Sequence, residues 1–152
     1  MTIEDDIAFF EHVPTLGMLG RSALRILAIG AESRYVHSGE VLFNAGEQAD
    51  SGFVVQEGSF SLKSQQENGG ETLTVGPGTL LGELAMLTDT TRPVTATALE
   101  PSTVLRIPRG LFLKMLEGYP DSAKRLRDLM AKRTDDSSRD IQTVRSALEG
   151  NK

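Results

Sequence analysis

Gly76-Pro77-Gly78-Thr79-Leu80-Leu81-Gly82-Glu83-Leu84-Ala85-Met86-Leu87 runs from one turn to a third glycine, Gly82, that opens a short helical segment, and Arg92 follows five residues later. Glycine permits the tight bend. The residues after it open a helix whose first N–H groups have no intrahelical partner, and such a start attracts a phosphate. Arg92 is placed to clamp the same anion with two parallel hydrogen bonds. Glu83 repels a phosphate, so its carboxylate suits neutral hydroxyls such as those of a sugar. Anion and hydroxyl recognition within one segment points to a nucleotide. The same residues also admit plainer roles. These are a turn with one buried helical turn, Glu83 as a carboxylate at a helix N-terminus, and Arg92 in a surface pair with Asp89.

Outward from this stretch the pattern is one of many short strands. Val41-Leu42-Phe43 ends at the turn Asn44-Ala45-Gly46, and Phe53-Val54-Val55 ends at Glu57-Gly58. Phe60 and Leu62 alternate with Ser59, Ser61 and Lys63, as in a half-buried strand. Asn68-Gly69-Gly70 is a hairpin signal. Leu73 and Val75 alternate with Thr72 and Thr74. Val94, Ala96 and Ala98 face one way and Thr95, Thr97 and Leu99 the other, before Glu100-Pro101-Ser102 turns into Thr103–Ile107. Glycines 39, 46, 52, 58, 70, 76 and 78 mark turns between strands. Short strands with Gly-rich turns imply a sandwich or barrel, with a mainly aliphatic core because the chain has 6 phenylalanines, 2 tyrosines and no tryptophan.

Helical periodicity flanks this region. Before it lie the apolar run Leu16–Leu19 and a helix over Ser22–Glu32, with Ser22 as its expected cap. After it, Pro108 suits a first helical turn, Leu111, Phe112, Met115 and Leu116 form an apolar face closed by Gly118, and Pro120 opens a further helix carrying Leu126, Leu129 and Met130. The basic residues Lys124, Arg125, Arg127, Lys132 and Arg133 read as a solvated face. Thr134-Asp135-Asp136-Ser137-Ser138 reads as a break, and Ile141, Val144 and Leu148 as a short seam that suits a homodimer. The expected organisation is one domain over residues 1–133 and a helical extension over residues 134–152.

Composition narrows the function. A chain of 152 residues buries roughly 70% of its unfolded surface and needs no staple. The absence of cysteine excludes disulfides, thiolate zinc sites and a thiol nucleophile. Two histidines, His12 and His37, are too few for a metal or haem site, and none is expected. With 16 basic and 21 acidic residues the net charge is −5, a poor match to nucleic acid, whose affinity rests on phosphate neutralisation. The acidic start Met1–Asp6 has no long apolar run, so a cytoplasmic location and no membrane span are expected. No nucleophile–base pattern, Walker loop or paired-metal motif is present, so no catalytic residue is assigned and an enzyme is not expected.

Taken in order, Ser38–Glu47, Gly52–Gly58, Gly76–Leu87 and Arg92–Ala98 resemble the strands, hairpin and phosphate-binding cassette of the cyclic-nucleotide-binding domain family. The family includes the sensor half of the catabolite activator protein and the regulatory subunits of cyclic-AMP-dependent kinase. The resemblance runs from about Phe9 to Arg133. It implies a mainly β fold, an eight-stranded antiparallel jelly roll (a double-stranded β-helix) with N-terminal and C-terminal helices. It also implies a ligand site of Gly82, Glu83, Leu84, Ala85, Arg92, Pro93 and Val94. Glu83 would hold the ribose 2′-hydroxyl and Arg92 the cyclic phosphate, aided by backbone N–H groups near Leu84 and Ala85. Leu129, Met130 and Val144 are candidate lid residues over the base.

This chain departs from the family in reading Arg92-Pro93 where Pro-Arg and a small residue are usual. Pro93 has no N–H to offer the phosphate, a loss of about 1–3 kcal/mol. It also lacks the hydroxyl that favours guanine, so cyclic AMP is expected over cyclic GMP as ligand, with no further cofactor. Leu81 replaces a frequent phenylalanine. The function implied is a stand-alone sensor that relays ligand binding through its C-terminal helices to an effector protein yet to be identified. The alternatives are a ligand-free interaction or oligomerisation module and the sensor part of a split transcription regulator. About nineteen residues follow Arg133, too few for a three-helix DNA-binding module, so DNA binding by this chain alone is not expected.

Overall fold

The computed structural model describes residues 2–64 and 72–135. The hairpin signal at residues 68–70 and the seam at Ile141, Val144 and Leu148 lie outside them, as does most of the expected extension. The chain opens with α1 (Ile3–Phe10), then a 3₁₀ turn at Leu16–Met18 and α2 (Arg21–Gly30). Ten strands follow: β1 (Glu32–Val36), β2 (Val41–Phe43), β3 (Gln48–Ala49), β4 (Ser51–Glu57), β5 (Phe60–Ser64), β6 (Thr72–Val75), β7 (Leu80–Leu81), β8 (Thr90–Thr91), β9 (Val94–Ala98) and β10 (Ser102–Pro108). A second 3₁₀ turn, Leu84–Met86, lies between β7 and β8, and α3 (Arg109–Gly118) and α4 (Pro120–Asp135) close the described chain. Among the described residues no helix is long and apolar enough to cross a membrane.

The strands form two four-stranded antiparallel sheets, ordered β1-β10-β4-β7 and β2-β9-β5-β6, and a two-stranded ribbon, β3-β8. The architecture is thus mainly β with flanking helices. The described residues make ten strands, not eight, and no closed barrel, because the short ribbon near the cassette is a separate pairing from the two main sheets.

Two cores explain the burial patterns. β4 is buried along five successive residues because both its faces are covered. Phe53 and Val55 point into a core between the sheets, with Val36, Phe43, Phe60, Leu62, Ala96 and Val104. Val54 points the other way, into a core with the helices that holds Ile7, Phe10, Leu24, Leu27, Ile107, Phe112 and Met115. β9 alternates as read, with Val94, Ala96 and Ala98 buried. β6 does not: Leu73 is exposed and Val75 half-buried.

Three expectations about the helices and turns change. Ser22 is inside α2, whose N-cap is Gly20 without a side-chain cap. Gly52 lies within β4, and a Cβ there would meet Met86 at 2.9 Å, so close approach explains it better than a turn. The α1 helix was not anticipated. It starts at a capping box in which Thr2 accepts from the Asp5 amide and Asp5 accepts from the Thr2 amide. At the other end, α4 includes Thr134 and Asp135, the first two residues of the stretch expected to break the helix. It is fixed by polar bonds to the first 3₁₀ turn. The Ser122 hydroxyl donates to the Leu19 carbonyl, and Arg125 donates to the Met18 and Leu19 carbonyls at 2.7 and 2.9 Å. Arg125 is therefore a structural tie and not part of a free basic face.

Candidate functional site

Gly82 leaves β7 with a φ of +80°, a conformation that a side chain makes costly. The chain then enters the Leu84–Met86 turn. This turn has three residues, too few for a helix dipole of consequence. The Ala85 amide donates to the Gly82 carbonyl at 3.0 Å, so it is committed within the turn. Met86 points inward and joins the helical core beside Phe112 and Met115, which anchors the segment to α3.

Glu83 forms no side-chain cap to this turn. Its Oε2 instead accepts from the Thr15 hydroxyl at 2.7 Å, a bond across 68 residues of sequence that ties the segment to the N-terminal helices. Thr15 is itself held at a φ of +79°. Nothing in the sequence pattern signals this pairing.

Arg92 is pinned by its own backbone. Its amide donates to the Glu47 carbonyl and its carbonyl accepts from the Gly46 amide, each at 2.8 Å. Its side chain is 5% exposed and lies over Phe43 at 4.4 Å and Phe53 at 5.3 Å, two stacked rings that attract the cation through their faces. Nη2 reaches the Ser51 hydroxyl at 3.5 Å. Nη1 is buried without a hydrogen-bond partner and rests against Gly82. Burial lowers the guanidinium pKa from its ordinary value, while the nearby charges of Asp50 and Glu47 act in the opposite direction. Asp89 pairs with Arg109 at 2.8 Å, so the surface pair of Arg92 with Asp89 does not form. A buried cation with an orphaned donor carries a desolvation cost.

All seven residues picked from the sequence, Gly82, Glu83, Leu84, Ala85, Arg92, Pro93 and Val94, line one cavity of about 590 Å³. The rest of its wall is mainly apolar, with Phe43, Leu62, Leu73, Val75 and Leu80, and the hydroxyls of Thr79, Thr90 and Thr91. Leu73 and Val75 thus line the cavity, and of the two Val75 also packs against the inter-sheet core, which is why Leu73 is exposed and Val75 half-buried. The lid candidates fare differently. Leu129 and Met130 are half-buried, Met130 packs on the helical core, and neither lines the cavity. Val144 is outside the described residues.

Comparison with known proteins agrees with this fold. The family model for the cyclic nucleotide-binding domain matches residues 33–119. A cyclic nucleotide-binding-like protein from Brucella abortus is 36% identical, covering 74% of this chain and 98% of its own, with a TM-score of 0.67. The N-terminal domain of a transcriptional regulator from Streptomyces coelicolor is 26% identical over 88% of this chain and 94% of its own, with a TM-score of 0.78. A lysophospholipase from Neurospora crassa is 31% identical over 110 residues, 68% of this chain, but the chain spans only 7% of that protein's length. The ordered motifs, the two sheets and the match over residues 33–119 place this chain in the cyclic nucleotide-binding domain family.

Proposed function

We propose that this chain is a sensor whose cavity takes a cyclic mononucleotide, cyclic AMP in preference to cyclic GMP. The observation that carries this reading is Arg92, whose buried Nη1 has no acceptor and which lines a mainly apolar cavity together with Glu83. A cyclic phosphate would neutralise the guanidinium, the base would lie on the apolar wall, and Glu83 would accept from the ribose 2′-hydroxyl. Because Nη1 rests against Gly82, seating an acceptor on it requires the Gly82 turn to shift. That shift carries Met86, and with it the core shared with α3. Ligand binding therefore favours a second arrangement of the C-terminal helices through its higher affinity for that state, and an effector protein reads them. We read the scaffold as a jelly roll, since with β3 and β8 set aside the remaining eight strands run 1-8-3-6 and 2-7-4-5 in the two sheets. The family is regulatory, so catalysis is not part of this reading.

Two observations favour a second reading, a ligand-free interaction module. Pro93 has no N–H, and the Ala85 amide is committed to Gly82. Calorimetric titration with cyclic AMP and cyclic GMP separates the two. Saturable heat, stronger for cyclic AMP, supports the sensor. No heat and no thermal shift with either supports the module.

A further inference from the structure

The Arg109 guanidinium, at the first turn of α3, reaches three acceptors on three different segments. Nε donates to the Ala85 carbonyl at 2.9 Å, Nη1 to the Asp89 carboxylate at 2.8 Å, and Nη2 to the Ala49 carbonyl at 2.6 Å. The Arg109 amide also donates to the Asp50 carbonyl at 2.8 Å. Ala85 and Ala49 are 1% and 3% exposed, so their carbonyls are poorly placed to bond water. Both residues line the 590 Å³ cavity. Arg109 therefore stands behind the cavity wall and clasps it from outside, gripping the cassette turn, the loop before β8, and the β3 ribbon strand at once. Only a planar fork meets three acceptors spread in this way; a lysine ammonium on the same stem is a point charge.

We infer that Arg109 is a positioning residue that latches residues 82–91 to α3, so that movement at the anion site is delivered to α3 and, across Tyr119, the single residue between the two helices, to α4. This rests on the ligand reading above for its second half and on bond geometry alone for its first. The Asp89 arm is the weakest of the three, because the carboxylate is 85% exposed and solvent screens the pair. The two carbonyl arms carry the latch. Arg109 keeps the wall in place without touching the ligand.

The test uses the full chain in three forms: wild type, Arg109→Lys and Asp89→Asn. Hydrogen exchange without ligand is read at residues 84–91 and, as an internal reference, at β9 and β10. Arg109→Lys is expected to lose at least tenfold protection at residues 84–91 with β9 and β10 unchanged, and Asp89→Asn to stay within threefold of wild type. In a second arm, calorimetry with cyclic AMP is expected to show at least tenfold weaker binding by Arg109→Lys, and ligand-induced changes in α4 exchange are expected to vanish in that variant. Unchanged protection at residues 84–91 in Arg109→Lys overturns the latch. So does uniform loss across β9 and β10, or global unfolding, since either makes Arg109 an ordinary stabilising residue. If wild type binds no cyclic nucleotide, the ligand reading fails while the exchange arm still decides the latch.

Discussion

Replacing Gly82 by alanine perturbs the proposed site through two separable effects. The first is backbone strain. An L-residue at a φ of +80° costs about 1–2 kcal/mol, which for a chain of this size lowers the melting temperature by roughly 2–8 °C. The second is a clash. A Cβ at Gly82 would fall well inside 3.0 Å of Arg92 Nη1 and lie 3.1 Å from the Ser51 carbonyl oxygen. The guanidinium must then retreat by about 1 Å, forfeiting contact with the phenyl rings on which it rests. A misplaced guanidinium loses its charge-assisted bond to phosphate, about 1.5–3 kcal/mol or roughly 10- to 150-fold in affinity. Gly39 supplies the control. Its φ is +84°, and a Cβ there meets nothing within 4 Å. Gly39→Ala should therefore reproduce the stability loss and leave affinity unchanged. The assay is thermal melting with calorimetric titration of cyclic AMP on wild type, Gly82→Ala and Gly39→Ala. Binding by Gly82→Ala within twofold of wild type would refute the reasoning, because it would show that Arg92 does not need its present seat.

Other perturbations probe neighbouring parts of the account. Phe43→Leu removes the nearer ring under Arg92, and calorimetry should show cyclic AMP affinity falling by about 2- to 30-fold, the range of a cation–π contact. Pro93→Ala restores a backbone donor beside the anion site and should tighten binding by about tenfold while lowering stability by about 0.4–1 kcal/mol in chemical denaturation. The Asp5 carboxyl pKa is lowered, chiefly by the bond from the Thr2 amide. A carboxyl lowered in the folded state stabilises above its unfolded pKa of about 3.9 and loses that contribution as pH falls through the folded value. Protection of α1 amides, relative to their intrinsic exchange rates, should therefore fall below about pH 4 in wild type, and Asp5→Asn should abolish that step.

Most of the site was legible because its residues are close in sequence. Gly82 to Val94 lie within thirteen positions, so the glycine turn and the arginine read as one segment, and the family resemblance extends that segment to the seven residues that line the cavity. The inter-sheet core was legible from alternation in β5 and β9, where one face is buried and the other is not. β6 misled because an alternating apolar pair looks the same whether it faces a core or a cavity. The bonds that govern the site were not legible. Thr15 to Glu83 and Arg109 to Ala49 span 68 and 60 residues, and no local pattern encodes a side chain reaching a distant carbonyl or carboxylate. The α1 helix had a readable signal, Thr2 followed three residues later by Asp5, with Ile3, Ile7 and Phe10 on one face.

In the proposed reading, Arg92 is kept buried for a phosphate. The most direct measurement is calorimetric titration of cyclic AMP against wild type and Arg92→Leu, with circular dichroism and melting of both. Leucine puts an apolar side chain over Phe43 and Phe53 in place of the guanidinium and removes the orphaned nitrogen, so the ligand-free variant should melt no lower than wild type. Its affinity should fall by about 100-fold or more. Equal affinity in the two proteins, or a folded wild type with no cyclic AMP binding beside a destabilised variant, would contradict the account, because Arg92 would then be holding the fold and not a ligand.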